Sequence, residues 1–303
     1  MSTQFLAVPG GQIAYDVTGH GPLVVLSHGI GDHRQAYRFL VPKLVAAGYQ
    51  VVNADMRGHG ESSIGWASIT RTDVAGDLLA LIHHLSGGPA VIVGHSLSGG
   101  AATIAAAREP GLISGIVEIG PFTKTQKIHV GALLRNKPYR RAMLLLADVG
   151  MFGSLRPWMK YLDLAYPAKP ADYTSYMAEL AAKLREPGRM AEFQKTSKST
   201  PADAEAQLSA IHSPALIIMG ADDPDFVNPQ AEAETIAAGM PAGLGTVVMI
   251  DGAGHYPHAQ NPDQVAALIT RFLDEHHLLE ATSTTIGLGS EGLLTRRGLR
   301  LEV

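Results

Sequence analysis

Val91-Ile92-Val93-Gly94-His95-Ser96-Leu97-Ser98-Gly99-Gly100 is the stretch on which the reading of this chain turns. The β-branched run Ala90–Val93 predicts a buried strand ending at Gly94, and the Ala-rich stretch from Gly100 to Arg108 predicts a helix straight after it. Ser96 then falls on a strand-to-helix turn hemmed by glycines, a nucleophile elbow. Such a turn exposes Oγ above the sheet and aims the backbone N–H of Leu97 at a developing oxyanion. The pattern asks for glycine two residues after the serine; Ser98 stands there and is small enough for the turn. Taken alone, a G-x-S-x-small match also fits an ordinary strand-to-helix loop, so the rest of the chain has to supply the chemistry.

A serine hydroxyl is a weak nucleophile near neutral pH and needs an adjacent base, which needs a partner to hold its tautomer. Two further strand ends offer both. Pro214-Ala215-Leu216-Ile217-Ile218-Met219-Gly220 reads as a fully buried strand followed by the acidic turn Ala221-Asp222-Asp223-Pro224-Asp225. Thr246-Val247-Val248-Met249-Ile250 is a second, followed by Asp251-Gly252-Ala253-Gly254-His255-Tyr256-Pro257. In this order, serine then acid then histidine, the chain resembles the α/β-hydrolase fold superfamily over about residues 10–277. The resemblance implies an α/β fold: a mostly parallel central sheet, helices on both faces and an inserted helical cap. Residue by residue, it makes Ser96 the nucleophile, His255 the general base and Asp223, three after Gly220, the orienting acid. Asp222 and Asp225 compete for the last role, and His258, beyond Pro257, competes with His255.

Two more segments fit the same resemblance. Leu23–Ser27 reads as a buried strand ending in His28-Gly29-Ile30-Gly31, similar to the family's His-Gly loop, which makes the Ile30 amide the second oxyanion donor beside Leu97. His28 itself reads as a brace for that loop. Asp55-Met56-Arg57-Gly58-His59-Gly60-Glu61-Ser62 resembles a segment common in the superfamily and reads as a structural turn under the site.

Strands near 4–8, 12–17, 23–27, 50–54, 90–94 and 114–119 alternate with helices near 36–47, 71–85 and 98–108. Strand–helix alternation resumes at Pro214 and finishes with a helix over 262–277. The expected organisation is a core of residues 1–121 and 208–280, a helical cap over 122–207, and a loose tail over 281–303. The cap segment holds 9 of the 18 aromatic residues and 5 of the 10 methionines, with 14 Lys and Arg against 8 Asp and Glu. Met151, Phe152 and Trp158 are the candidates for an apolar pocket ceiling; helical spacing fits a core for the cap itself equally well. The positive balance leans towards an anionic substrate or partner, although a solvated face is its default reading.

Net charge is only −4, which points away from nucleic acid, and with no cysteine there is neither a disulfide framework nor a thiolate metal site. Neither a basic-then-apolar leader nor a membrane-length apolar run is visible, so a cytoplasmic location is expected. H-E-x-x-H, a phosphate-binding Gly-Lys loop and a dinucleotide Gly fingerprint are all missing, so neither metal nor organic cofactor is expected. Serine at the elbow argues against haloalkane dehalogenase and epoxide hydrolase chemistry, which the resemblance ties to an aspartate there. The expectation is a serine hydrolase acting on a small-molecule carboxylic ester. Cofactor-free haloperoxidases, acyltransferases, lactonases, carbon–carbon hydrolases and non-catalytic receptors on the same fold are the alternatives.

Overall fold

Leu23–Ser27, Ala90–His95 and Ala215–Gly220 are buried at every position. Runs this apolar, with no polar alternation, need cover on both faces. The computed structural model, which describes residues 2–85, 88–126, 130–276 and 278, supplies it. Its strands are β1 (Gln4–Val8), β2 (Gly11–Thr18), β3 (Leu23–Ser27), β4 (Gln50–Ala54), β5 (Ala90–His95), β6 (Ile113–Ile119), β7 (Ala215–Gly220) and β8 (Gly245–Ile250). They form one sheet in the order β1-β2-β4-β3-β5-β6-β7-β8. β1, β2 and β4 pair antiparallel, and every other pairing is parallel. The strand order reverses across β3 and β5, so the loops leaving their carboxyl ends diverge and open a crevice there.

Helices α1 (Leu40–Ala46), α2 (Arg71–His84) and α3 (Leu97–Arg108) belong to the first half of the chain. Between β6 and β7 come α4 (Val130–Arg135), α5 (Lys137–Phe152), α6 (Leu155–Ala165), α7 (Tyr173–Leu184), α8 (Arg189–Thr196) and α9 (Ala202–Glu205), with no strand among the described residues. The chain then adds α10 (Pro229–Gly239), α11 (Pro257–Gln260) and α12 (Pro262–Glu275). Alternate strand residues serve opposite faces: Leu23 and Val25 pack with α2, α3 and α10, while Val24 and Leu26 pack with α1 and α12. The helix expected over 36–47 is broken into a 3-10 turn at Arg34–Tyr37 and the short α1. A continuous helix would place Pro42 in its interior, where the ring meets a carbonyl one turn back; restarting at Leu40 puts it in the first turn.

Helices α5 to α8 share an apolar cluster that includes Trp158, Tyr161, Leu180 and Phe193 and continues onto Tyr256 and Ala259. Trp158 Nε1 donates to the Gly31 carbonyl at 3.0 Å, Arg189 Nη1 to that of Ser62 at 2.6 Å, and Arg38 grips Asp172 at 2.6 and 2.7 Å. These contacts seat the helical layer over the loops at the carboxyl ends of the strands. Among the described residues no helix is long and apolar enough to cross a membrane. The tail expected over 281–303 lies outside the described residues.

Candidate active site

Ser96 is the one non-glycine residue described with positive φ, at φ 55° and ψ −117°. Such a conformation costs roughly 1–3 kcal/mol and persists only where the surroundings over-determine it. Here Ser96 N donates to the Ile119 carbonyl at 2.9 Å, and Ser96 O accepts from Phe122 N at 3.2 Å. Gly94 is obligatory, because a Cβ there would stand 2.1 Å from the Ser98 carbonyl oxygen. Ser98, where the pattern has glycine, uses its hydroxyl: Oγ donates to the His28 carbonyl at 2.6 Å and lies 2.9 Å from Ser27 Oγ. The substitution thus ties the elbow to the loop after β3.

That loop is fixed in turn by the His28 ring, whose Nδ1 lies 2.7 Å from the Gly29 carbonyl and whose Nε2 accepts from Met56 N at 3.0 Å. Burial keeps His28 neutral, its pKa down at about 3. Ile30 and Leu97 both line the cavity above Ser96, and neither backbone N–H has a protein acceptor among the described residues. The Asp55–Ser62 turn is structural as read: Asp55 accepts from Arg34 N at 2.7 Å and Glu61 N at 2.9 Å and also pairs with the Arg34 guanidinium.

The loops after β7 and β8 are pressed together, since a Cβ on Gly220 would stand 2.0 Å from the Gly254 carbonyl oxygen. This brings Asp223 Oδ2 to 2.7 Å from His255 Nδ1. His255 N donates to the Ala165 carbonyl at 3.0 Å, and the His255 carbonyl lies 2.9 Å from His95 Nε2. With Nδ1–H given to Asp223, Nε2 is the nitrogen left to accept a proton. Asp222 is exposed, and His258 is buried against Tyr37, its ring centroid 4.9 Å away. Neither lines the cavity that Ser96 and His255 share.

Asp225 does line it. Buried, it accepts from Tyr161 Oη at 2.6 Å and lies 3.6 Å from His255 Nδ1, so two carboxyl groups face one imidazole. Burial and the neighbouring Asp223 push Asp225 up to about 7, against the pull of His255 and Tyr161. Burial opposes charge on His255 too, but the two carboxylates outweigh it and raise the imidazole to about 9. Among the described residues, Asp223, Asp225 and His255 are also the group whose donor atoms lie near enough to share a metal, within 4.8 Å; these groups are engaged with each other and with Tyr161.

The cavity has a volume of about 210 Å³. Its ceiling comes from Leu146, Val149, Trp158 and Phe193. Of the three expected pocket residues only Trp158 is there. Met151 and Phe152 are 70% and 69% exposed at the end of α5, because Val149 and Gly150 are the residues that this last turn directs inward. Arg71, also on the lining, was not singled out from the sequence, although a signal existed: a cation in the first turn of a helix opposes the helix dipole.

A relative from Mesorhizobium japonicum, a 2-(acetamidomethylene)succinate hydrolase, is 28% identical over 265 residues, covering 84% of this chain and 89% of its own. An (E)-2-((N-methylformamido)methylene)succinate hydrolase from Acinetobacter baylyi is 26% identical over 268 residues, covering 86% and 93%. The fold matches that of a thermophilic esterase from Thermogutta terrifontis with a TM-score of 0.70 at 22% identity, over 91% of this chain and 100% of that one. Residues 24–268, which run from β3 through the elbow and the paired Asp223 and His255 into α12, match the family model itself, and the chain belongs to the alpha/beta hydrolase family.

Proposed function

We propose that this protein is a serine hydrolase that cleaves carboxylic esters through an acyl-enzyme on Ser96. The observation that carries the reading is the 2.7 Å contact of His255 Nδ1 with Asp223, beside a cavity that the strained Ser96 also lines. His255 Nε2 takes the hydroxyl proton as Ser96 Oγ bonds to the acyl carbon. The charge that moves onto the carbonyl oxygen is met by the N–H groups of Ile30 and Leu97. Collapse breaks the bond to the alcohol, which leaves with the proton from His255. Water then gives a proton to His255 and bonds to the acyl carbon; the Ser96 ester bond breaks, Oγ recovers the proton, and the acid departs. Asp223 stabilises the imidazolium in both halves.

In this reading residues 122–207 are the cap on a core of residues 1–121 and 208–280, and Trp158, Leu146 and Phe193 set which acyl groups fit. The test is covalent labelling with a fluorophosphonate, followed by a panel of esters of graded acyl length together with the two methylenesuccinates in the relatives' names. Labelling of Ser96 and turnover of an ester, both lost in Ser96→Ala, are expected. A parallel run with hydrogen peroxide should yield free acid over peracid. No labelling and no ester turned over would overturn the assignment.

A further inference from the structure

Arg71 is 4% exposed and lines the same cavity as Ser96. Its Nε donates to the Phe122 carbonyl at 2.8 Å and its Nη1 to Ser199 Oγ at 2.8 Å, both neutral acceptors. No carboxylate lies within 4.0 Å of the guanidinium among the described residues, and Nη2 has no protein acceptor. The other well-covered arginines are different: Arg34 meets Asp16, Asp55 and Glu61, Arg38 meets Asp172, and Arg57 meets Asp73 and Asp77. A buried cation with no carboxylate in contact is costly, and strongly perturbed charges of this kind cluster at functional sites. Burial lowers Arg71 to about 10, with Asp203 acting the other way, so it stays charged at neutral pH.

Its position relates it to the elbow. Phe122, which holds Nε, gives its own N–H to the Ser96 carbonyl at 3.2 Å. Gly100, one turn along α3 from Ser96, leaves the space the side chain occupies, since a Cβ there would stand 2.8 Å from Arg71 Cδ. Gln194, Thr196 and Ser197 add polar atoms to the lining, and the hydroxyls of the last two donate to the carbonyls three residues back. The guanidinium is thus the unmatched charge on the cavity wall, Asp225 being engaged by Tyr161 beside His255.

We propose that Arg71 binds a carboxylate carried by the substrate, so that the preferred ester is an anion with its charge a short chain away from the scissile carbonyl. This rests on the hydrolase reading above for the ester but not for the anion. One guanidinium with its Nη2 unengaged matches a single carboxylate, whereas a phosphate dianion calls for more cations than this wall holds.

The test compares p-nitrophenyl hemisuccinate and hemiglutarate with neutral p-nitrophenyl butyrate and valerate in the wild type and in Arg71→Gln. In the wild type kcat/KM should favour the best anionic ester over its neutral counterpart by tenfold or more. In Arg71→Gln that ratio should fall about ten- to a hundredfold, the range of a hydrogen bond to a charged group. A wild type that hydrolyses esters without preferring any anionic one, or a ratio unmoved in Arg71→Gln, would overturn the proposal. Glutarate binding measured by calorimetry separates the two readings. Wild-type binding that Arg71→Gln abolishes supports the carboxylate site even where no ester is turned over, and wild-type protein that hydrolyses esters but binds no glutarate sinks it. If Arg71→Gln fails to fold, inhibition of the wild type by glutarate against its neutral dimethyl ester decides: equal inhibition, or none by either, overturns the proposal.

Discussion

Replacing Asp225 with asparagine should move the acid limb of the kcat/KM–pH profile to lower pH. His255 acts as a base only when neutral, and in the wild type two carboxylates outweigh burial to hold its proton to about 9. Asp225 Oδ2 lies 3.6 Å from His255 Nδ1. A unit charge at that distance is worth about 4.6 kcal/mol at an effective dielectric of 20, or roughly three pH units. The hydrogen bond from Tyr161 disperses part of the Asp225 charge, and the asparagine that replaces it still places a polar amide beside the imidazole. The expected displacement is therefore one to two pH units. Removing a negative charge destabilises the imidazolium, lowers its pKa and makes the neutral base available at lower pH, which fixes the direction. The assay is initial-rate kcat/KM for an uncharged aryl ester across roughly pH 5 to 10, where the limb reports the free enzyme. The same substitution should also stabilise the fold progressively as pH rises. A carboxyl whose folded pKa is raised costs stability as pH climbs from its unfolded value through about 7, and the asparagine has nothing to ionise. A limb that stays in place or moves to higher pH would refute the electrostatic argument.

Ser96→Ala should lower ester turnover by about 10⁶ with Tm held or raised, since alanine removes the nucleophile and leaves the elbow intact; residual activity above a tenth of wild type would point to another nucleophile. Asp223→Asn should cost on the order of 10⁴ in kcat, while the exposed Asp222→Asn should stay within a few-fold of wild type, both read from initial rates. Trp158→Ala should destabilise by about 3–5 kcal/mol in denaturant unfolding and shift acyl-length preference, because the ring is buried, stacked on Tyr161 with centroids 5.0 Å apart, and part of the cavity ceiling. Phe152→Ala, at a residue 69% exposed, should change stability by no more than about 0.5 kcal/mol and leave that preference alone.

The architecture is legible in the chain because strand, glycine and helix follow one another locally. An apolar run that ends at Gly94 or Gly220 has to be a covered strand, and the turn after it is where a side chain can stand free of the sheet. Ser96 is a candidate on that ground, and the resemblance to the α/β-hydrolase fold picks Asp223 and His255 from among the acids and histidines on the later turns. The spacing after Gly220 does not reveal that Asp225 also turns inward. That follows from the tight packing of the 220 and 254 loops and from a hydroxyl on α6, supplied from 64 residues earlier. The inward face of the helical layer is equally hidden, since helical periodicity gives a stripe but not its direction; Val149 and Gly150 face the cavity while Met151 and Phe152 face solvent. Arg71 is the clearest case. Its charge is visible in the chain, but its lack of a counter-ion is a property of everything folded around it: the carbonyl of Phe122, the hydroxyl of Ser199 and the bare α-carbon of Gly100. Local propensity depends on neighbours in sequence, whereas the charge balance of a buried site depends on neighbours in space, and those exist only once the chain has closed on itself.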